Sequence, residues 1–495
     1  MNATPVPRGT RHAPDWVILA IACAAQFMVV LDVSIVNVAL PSIGRDLHYS
    51  ATGLQWVVNA YVLTFAGFLL LGGRAADIFG RRRIFLFGLA LFVGASLLGG
   101  FAQSAAWLTA ARAVQGIGGA FLSPATLTII VTTFSGARLP KALGAWSAVA
   151  GAGGATGSIL GGILTAELNW RWVLFVNVPI GAALLVAALL YLPELRRSGA
   201  KPRLDVAGAV TVTAGLATLA YAIVGTDVYP WSSPRTLVTL GIAAALLGAF
   251  FVIEIKIATQ PLVPMRLFRS RSVSGANIVM FLIGAAFFSM WYFLSLYMQN
   301  VLGFSALRAG MAFVPMALAI IVGAQVSSRT LARSGVRPLL ILGTLLATSG
   351  FVWLAQIEAT SGYWAAVFGP GTAIALALGL LFTPLAHAAT AGVDHSEAGL
   401  ASGVLNTARQ VGGSIGLAAL ATVATDRTNA LLGAQPPVPL DAALAHGYAR
   451  AFDVAAVLTA AAFAAAFVVP TRERPATAVE PLTAGRGPVV GGEPA

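Results

Sequence analysis

WVILAIACAAQFMVVLDVSIVNVAL, running from Trp16 to Leu40, decides how this chain is read. The stretch is about 25 residues long, and at 1.5 Å per residue a helix of that length spans a hydrocarbon core of about 30 Å. It exceeds the roughly 7–15-residue apolar core of a secretory signal, and no convincing small-residue cleavage site follows it. It is expected to be a retained membrane span. Its one charged residue, Asp32, is costly in lipid and is therefore a functional candidate.

The rest of the chain has the same character. Of 495 residues, 58% are hydrophobic and 10% charged, against roughly 25% charged in soluble domains. The formal net charge is +12, but Lys and Arg sit in short loops between apolar runs. No basic helix or aromatic-basic array suggests nucleic acid, so none is expected as a partner. The single cysteine, Cys23, lies in the first run. It leaves no intramolecular disulfide and no Cys/His metal spacing, and reads as a small core residue.

Fourteen runs are long and apolar enough to span: 16–41, 52–72, 84–104, 106–130, 142–164, 172–192, 205–224, 236–256, 273–299, 306–326, 338–357, 364–388, 400–424 and 452–470. With the N-terminus inside, Arg74, Arg81, Arg82, Arg83, Arg138, Lys141, Arg266, Arg269, Arg271, Arg329, Arg333 and Arg337 all fall in inner segments. Far fewer cations, such as Arg45, Arg171 and Arg308, fall outside. That bias predicts both termini on the cytoplasmic side. The turn before 52–72 and the turn before 306–326 are alike, and each of those spans leads into a basic inner loop. The expected architecture is an all-α integral membrane protein of 14 transmembrane helices, arranged as two six-helix pseudo-repeats, 16–192 and 273–470. A linker, 193–272, inserts two more helices between them. Residues 1–15 form a cytoplasmic N-terminus, and the Pro- and Gly-rich residues 471–495 form a disordered cytoplasmic tail.

The segment GGRAADIFGRRR, Gly72 to Arg83, follows the second span. Its glycines permit tight turning. Asp77 can accept charge-assisted hydrogen bonds from arginines or a helix end. Gly73, Asp77, Gly80 and Arg81 are the candidate switch loop, able to latch one state and release it in the other. Arg82 and Arg83 read as topology signals.

This loop resembles the signature loop of the major facilitator superfamily. LDVSIVNVALP (Leu31 to Pro41), LTAARAVQGIGG (Leu108 to Gly119), WRW (Trp170 to Trp172), FVNVPIG (Phe175 to Gly181), LYMQNVLG (Leu296 to Gly303) and NTARQVGG (Asn406 to Gly413) narrow the resemblance to its fourteen-helix drug:proton antiporters. It covers nearly all of 15–470. The resemblance implies proton-coupled export of drugs by alternating access, and ties the fourth-helix motif to proton coupling. Gly153, Gly157, Gly161 and Gly162 match the family's antiporter glycine motif, but Ser158 stands where a proline is expected. Physically, these positions form two rows of small residues at i, i+4, which allow close helix approach.

Asp32 lies about 24 Å from the start of its helix at Trp16, and Arg112 about 9 Å from the outer start of the fourth span. Both therefore fall in the outer half of the core and share a depth. Asp32 is the candidate proton carrier, with Arg112 governing how readily it releases the proton. The alternatives are a helix-end contact for Asp32 and a structural hydrogen bond for Arg112. Arg409 sits near mid-depth beside Asn406 and Gln410, where it meets an anionic substrate, a carboxylate from another helix, or backbone carbonyls. Asn37, Gln115, Trp291, Tyr292, Asn406 and Arg409 are the candidate cavity lining. Aromatic surfaces suit flat or cationic molecules.

Other classes fit poorly. None of the three lysines, Lys141, Lys201 and Lys256, follows a glycine, so there is no phosphate loop for an ATP-driven pump. The histidines make no His-Glu-x-x-His, and an enzyme is not expected. A channel requires a filter or a ring of subunits. The expectation is a multidrug-type efflux transporter of a bacterial cytoplasmic membrane, driven by the proton motive force without a cofactor. Its partners are amphipathic or cationic small molecules, protons and lipid, and it works as a monomer. Alternatives are a dedicated exporter of one endogenous metabolite or antibiotic, and a transporter not coupled to protons.

Overall fold

The computed structural model describes residues 14–50, 52–135, 138–192, 205–227, 229–259, 261–263, 265–393, 398–436 and 438–470. Nearly all of the expected cytoplasmic N-terminus, the linker stretch 193–204, the expected tail 471–495 and the side chain of Asp77 lie outside the described residues.

Every regular element among the described residues is a helix. Lipid offers no partner for backbone N–H and C=O groups, and the helix satisfies them within one segment. The helices are α1 (Asp15–Asp46), α2 (Trp56–Phe79), α3 (Arg81–Gly100), α4 (Ala105–Thr133), α5 (Arg138–Glu167), α6 (Trp172–Phe175), α7 (Asn177–Tyr191), α8 (Val206–Val224), α9 (Pro234–Val252), α10 (Arg271–Leu296), α11 (Ala306–Ala312), α12 (Val314–Ser334), α13 (Val336–Leu354), α14 (Gly369–Thr390), α15 (Ala398–Leu432) and α16 (Leu440–Ala466). Among the described residues, twelve stretches are long and apolar enough to cross a membrane. Taken with its next segment, α6 joins α7 and α11 joins α12 in single stretches of that kind. The long helices α5 and α15 are not among the twelve.

The breaks have local causes. Pro179 cannot donate to the carbonyl of residue 175, and α6 gives way to α7 at Val176. Pro315, in the first turn of α12, stands just beyond the break at Phe313. The stretch 425–451, between the expected spans 400–424 and 452–470, is largely helical. α15 continues to Leu432 and α16 begins at Leu440. Ala442, Ala443, Ala445, Ala449 and Ala451 favour helix in the first turns of α16, ahead of the point where hydropathy alone would start a span.

Two turns recur. Gly80, φ 95°, is the whole connection between α2 and α3; Gly335, φ 77°, is the whole connection between α12 and α13. That left-handed region suits glycine and penalises a side chain. Each glycine lies in one of the basic segments noted above.

α1 lies along α5, α2 along α4, α10 along α15 and α12 along α14. α8 and α9 pair with each other, and α8 also rests on α2 and α15, bridging early and late parts of the chain. One hydrophobic core runs through both parts. The outer faces remain apolar: Leu190, Val238, Ile255 and Val457 are all more than 60% exposed. An apolar girdle of this extent fits lipid rather than water.

α5 is gripped from two sides. A Cβ added at Gly153, Gly157 or Gly161 would stand 3.0, 2.8 or 2.7 Å from the carbonyl oxygens of Phe27, Leu31 and Ile35, on successive turns of α1. One added at Gly162 would stand 2.7 Å from the Ala306 carbonyl of α11. Gly310 in turn abuts the Ser158 carbonyl. Gly153, Gly157 and Gly161 thus press on α1, while Gly162 and the Ser158 carbonyl press on α11.

Candidate functional site

Asp32 lies at mid-length of α1 and is completely buried. Its carboxylate accepts from three side chains. Arg112 Nη1 donates to Oδ2 at 2.6 Å; Gln115 Nε2 and Asn177 Nδ2 donate to Oδ1 at 2.8 and 2.9 Å. Two donors come from successive turns of α4 and the third from the start of α7. Arg112, 2% exposed, is held by Nε to the Val57 carbonyl at 3.1 Å and by Nη1 to Gln115 Oε1 at 2.7 Å. The Tyr61 ring covers it, with Cζ 4.5 Å from the centroid. Asn177 Nδ2 also reaches Ser96 Oγ at 3.0 Å, and Ser96 donates to the Leu174 carbonyl at 2.8 Å.

The glycines of α4 make this possible. Gly116 packs directly on the Tyr61 carbonyl, and Gly119 leaves room beside the Tyr61 hydroxyl. Larger residues there would push α2 away and uncover the guanidinium. Further down the same face, Ser123 Oγ pairs with Gln26 Oε1 of α1 at 2.9 Å.

The structure brings Asp32 and Arg112 into direct contact. Gln115, expected in the cavity lining, is instead drawn into this cluster and is 1% exposed. It lies one turn from Arg112 on the same helical face, so both turn toward α1. Asn37 is half-buried; its Nδ2 donates to the Val33 carbonyl at 2.9 Å, and its own carbonyl accepts from Ser295 Oγ of α10 at 2.7 Å. Gln299 Nε2 adds a bond to the Val38 carbonyl at 2.9 Å. Trp291 is half-buried against Phe313, centroids 4.8 Å apart. Tyr292 is fully buried, edge-on to Phe293, and the structure does not bring it to the other candidates. Asn406 and Arg409 meet on α15. Gly73, Gly80 and Arg81 lie at the end of α2 and start of α3, with Asp77 in the last turn of α2. Sequence reasoning missed Asn177, Ser96 and Tyr61. The available signal was a lone asparagine in an apolar span, inside the quoted Phe175–Gly181 motif.

One sequence pattern is disposed of by its setting. Gly412, Ser414 and Gly416 have the spacing of a hydrolase nucleophile turn, but they lie within the continuous helix α15. Ser414 Oγ there donates to Asn59 Oδ1 at 3.0 Å.

A helical body with an apolar exterior and an ion pair sealed in its interior defines a multi-pass membrane protein. The family model described as Major Facilitator Superfamily matches residues 22–417, and the chain belongs to that superfamily, among its drug-efflux transporters. It is a transport protein and not an enzyme. It is 44% identical to a cephamycin export protein of Amycolatopsis lactamdurans over 86% of this chain and 89% of that one. It is 40% identical to a puromycin resistance protein of Streptomyces alboniger over 94% of each. Among solved structures, a bacterial homologue of the human lysosomal transporter Spinster, inward-facing and occupied, aligns with TM-score 0.65 at 16% identity, covering 91% of this chain and 96% of that one. At that identity the likeness concerns the fold.

Proposed function

We propose that this transporter exports drug-like small molecules in exchange for protons, moving a central cavity between the two sides of a bacterial cytoplasmic membrane. The observation that carries this reading is the Asp32–Arg112 pair, 2.6 Å apart and out of contact with water. While Asp32 is ionised, the pair is neutral and its donors are satisfied. Protonating Asp32 removes the counter-charge and leaves a buried guanidinium alone, which costs about 3–5 kcal/mol when one partner of such a pair is lost. That cost falls on this packing of α1, α4 and α7, so proton occupancy biases the protein toward another arrangement. Asn177 Oδ1 has no hydrogen-bond partner among the described residues. Rotating that amide by half a turn would offer an acceptor to a protonated Asp32, since its oxygen and nitrogen are nearly equal in shape.

The same reading covers topology. α5, with 30 residues, and α15, with 35, are long enough to add two crossings to the twelve, making fourteen. α8 and α9 are then the insertion between six-helix halves, and the matched glycine turns at Gly80 and Gly335 mark equivalent places in those halves. Both termini lie in the cytoplasm by the loop charge bias. Links between halves at Ser295 to Asn37, Gln299 to Val38 and Gly162 to Ala306 then lie toward the outside, and α2 meets α15 from Asn59 and Ser414 down to Leu70 and Gly403. The same reading makes the protein a working monomer, powered by the proton gradient without a cofactor. The likeness to the cephamycin export protein supports a second reading, a dedicated exporter of one endogenous antibiotic.

The test uses proteoliposomes with an imposed pH gradient and an internal pH dye, challenged with anionic, neutral and cationic antibiotics. Some of these should drive proton movement in the wild type and none in Asp32→Asn. Proton movement surviving in Asp32→Asn would sink the coupling role. Response to a single antibiotic would favour the second reading.

A further inference from the structure

A second guanidinium lies inside the bundle, and its surroundings differ from those of Arg112. Among the described residues, no carboxylate pairs with Arg409. Its hydrogen bonds run from Nε and Nη2 to Asn406 Oδ1, at 3.2 and 2.9 Å. The rings of Phe288 on α10 and Phe382 on α14 flank it, with centroids 6.0 and 5.7 Å from Cζ. Arg409 is about 17 Å along α15 from Ala398, far from the helix end. Arg409, Asn406, Phe288 and Phe382 are only half-buried, so each keeps an open face while the two rings rest against the hydrophobic core. One residue on, the Gln410 side chain is 5% exposed and its Oε1 has no partner among the described residues.

A cation held deep in a low-dielectric body without a counter-ion is unfavourable. Asn406 engages the Nε–Nη2 edge and fixes the guanidinium plane. The terminal Nη1–Nη2 edge stays available, and that edge matches the two oxygens of a carboxylate. The flanking rings suit the apolar body to which such a carboxylate is attached.

We propose that Arg409, oriented by Asn406 between Phe288 and Phe382, is the counter-charge of the transported molecule, and that the substrates are organic acids with an apolar, ring-bearing body and one carboxylate. The inference rests on the export reading above and departs from the cationic substrates that aromatic content alone suggests. A cationic drug would meet like charge at this position, while a carboxylate would neutralise it.

The experiment measures binding to the purified full chain with no gradient, by quenching of tryptophan fluorescence. The probes are 2-naphthylacetate, its neutral amide 2-naphthylacetamide, and 2-naphthylmethylammonium. In the wild type the acid should bind about tenfold more tightly than either of the others. In Arg409→Gln the three affinities should converge to within about twofold, and Arg409→Lys should keep part of the preference as a point charge. A wild type that binds the amide or ammonium as tightly as the acid, or binds none of the three, overturns the proposal without any variant having to fold. So does a preference that survives in Arg409→Gln. Loss of drug-driven proton movement for every charge class would instead defeat the export reading, and an acid preference in binding would stand apart from it.

Discussion

Ser34 Oγ on α1 stands 2.9 Å from Ser158 Oγ on α5, and also donates to the Gly154 carbonyl at 2.6 Å. Ser158 is the position at which the related glycine motif has a proline. The hydroxyl pair turns a place of backbone interruption into a staple between two helices whose glycine row already brings them together.

Removing the staple should be mild and inserting the proline severe. Ser158→Ala loses one hydrogen-bond pair, about 1 kcal/mol. Ser158→Pro removes the N–H and drives the ring into the Gly154 carbonyl, costing about 3 kcal/mol or more. Thermal melting in detergent should rank wild type, Ser158→Ala and Ser158→Pro in falling order. A proline variant melting at or above wild type would refute this account of α5.

The buried pair makes a thermodynamic prediction separable from transport. Arg112→Leu leaves Asp32 uncompensated and should destabilise by about 3–5 kcal/mol. Adding Asp32→Asn removes the orphan charge, so the double variant should melt above Arg112→Leu alone. If the two changes are simply additive, the 2.6 Å contact carries no coupling energy and the mechanism built on it fails.

Asn177 is a positioning residue for the carboxylate. Asn177→Ala withdraws one of the three donors to Asp32, a charge-assisted bond of about 1.5–3 kcal/mol. Losing it should slow drug-driven proton exchange, and Asn177→Gln, which keeps an amide donor, should restore part of the rate. Exchange in Asn177→Ala equal to wild type would assign Asn177 to packing alone.

Gly157 reports on the α1–α5 seam. A Cβ there meets the Leu31 carbonyl and Ser34 Cβ, both at 2.8 Å. Backbone and a short side chain have little room to yield, so Gly157→Ala should cost about 1–3 kcal/mol. Gly154 faces open space, and Gly154→Ala should melt close to wild type. Equal effects at the two positions would mean that the seam is looser than described.

The linear chain was most legible where one dimension suffices. Apolar run length and the distribution of Lys and Arg identified a membrane protein, because a span is a length and a loop charge needs no partner. The fixed helical rise put Asp32 and Arg112 at one depth for the same reason. The spacing of α5 defined two small-residue rows, since i, i+4 positions share a face of any helix. Run length was less useful at helix ends. The polar stretch 425–432 and the alanine-rich stretch 440–451 continue as helix although their hydropathy falls.

Only tertiary structure decided which residues meet. Equal depth does not determine the direction in which a side chain points, so the contact of Asp32 with Arg112, and the recruitment of Gln115 from the expected cavity into that cluster, depend on how α1, α4 and α7 rotate against each other. Asn177 and Ser96 come from helices far apart in the chain and join the carboxylate only after packing. The contrast between a paired Arg112 and an Arg409 that meets no carboxylate among the described residues has the same origin. Sequence determines that a charge lies in the membrane's depth, whereas the azimuths and separations of neighbouring helices determine whether that charge is neutralised within the protein.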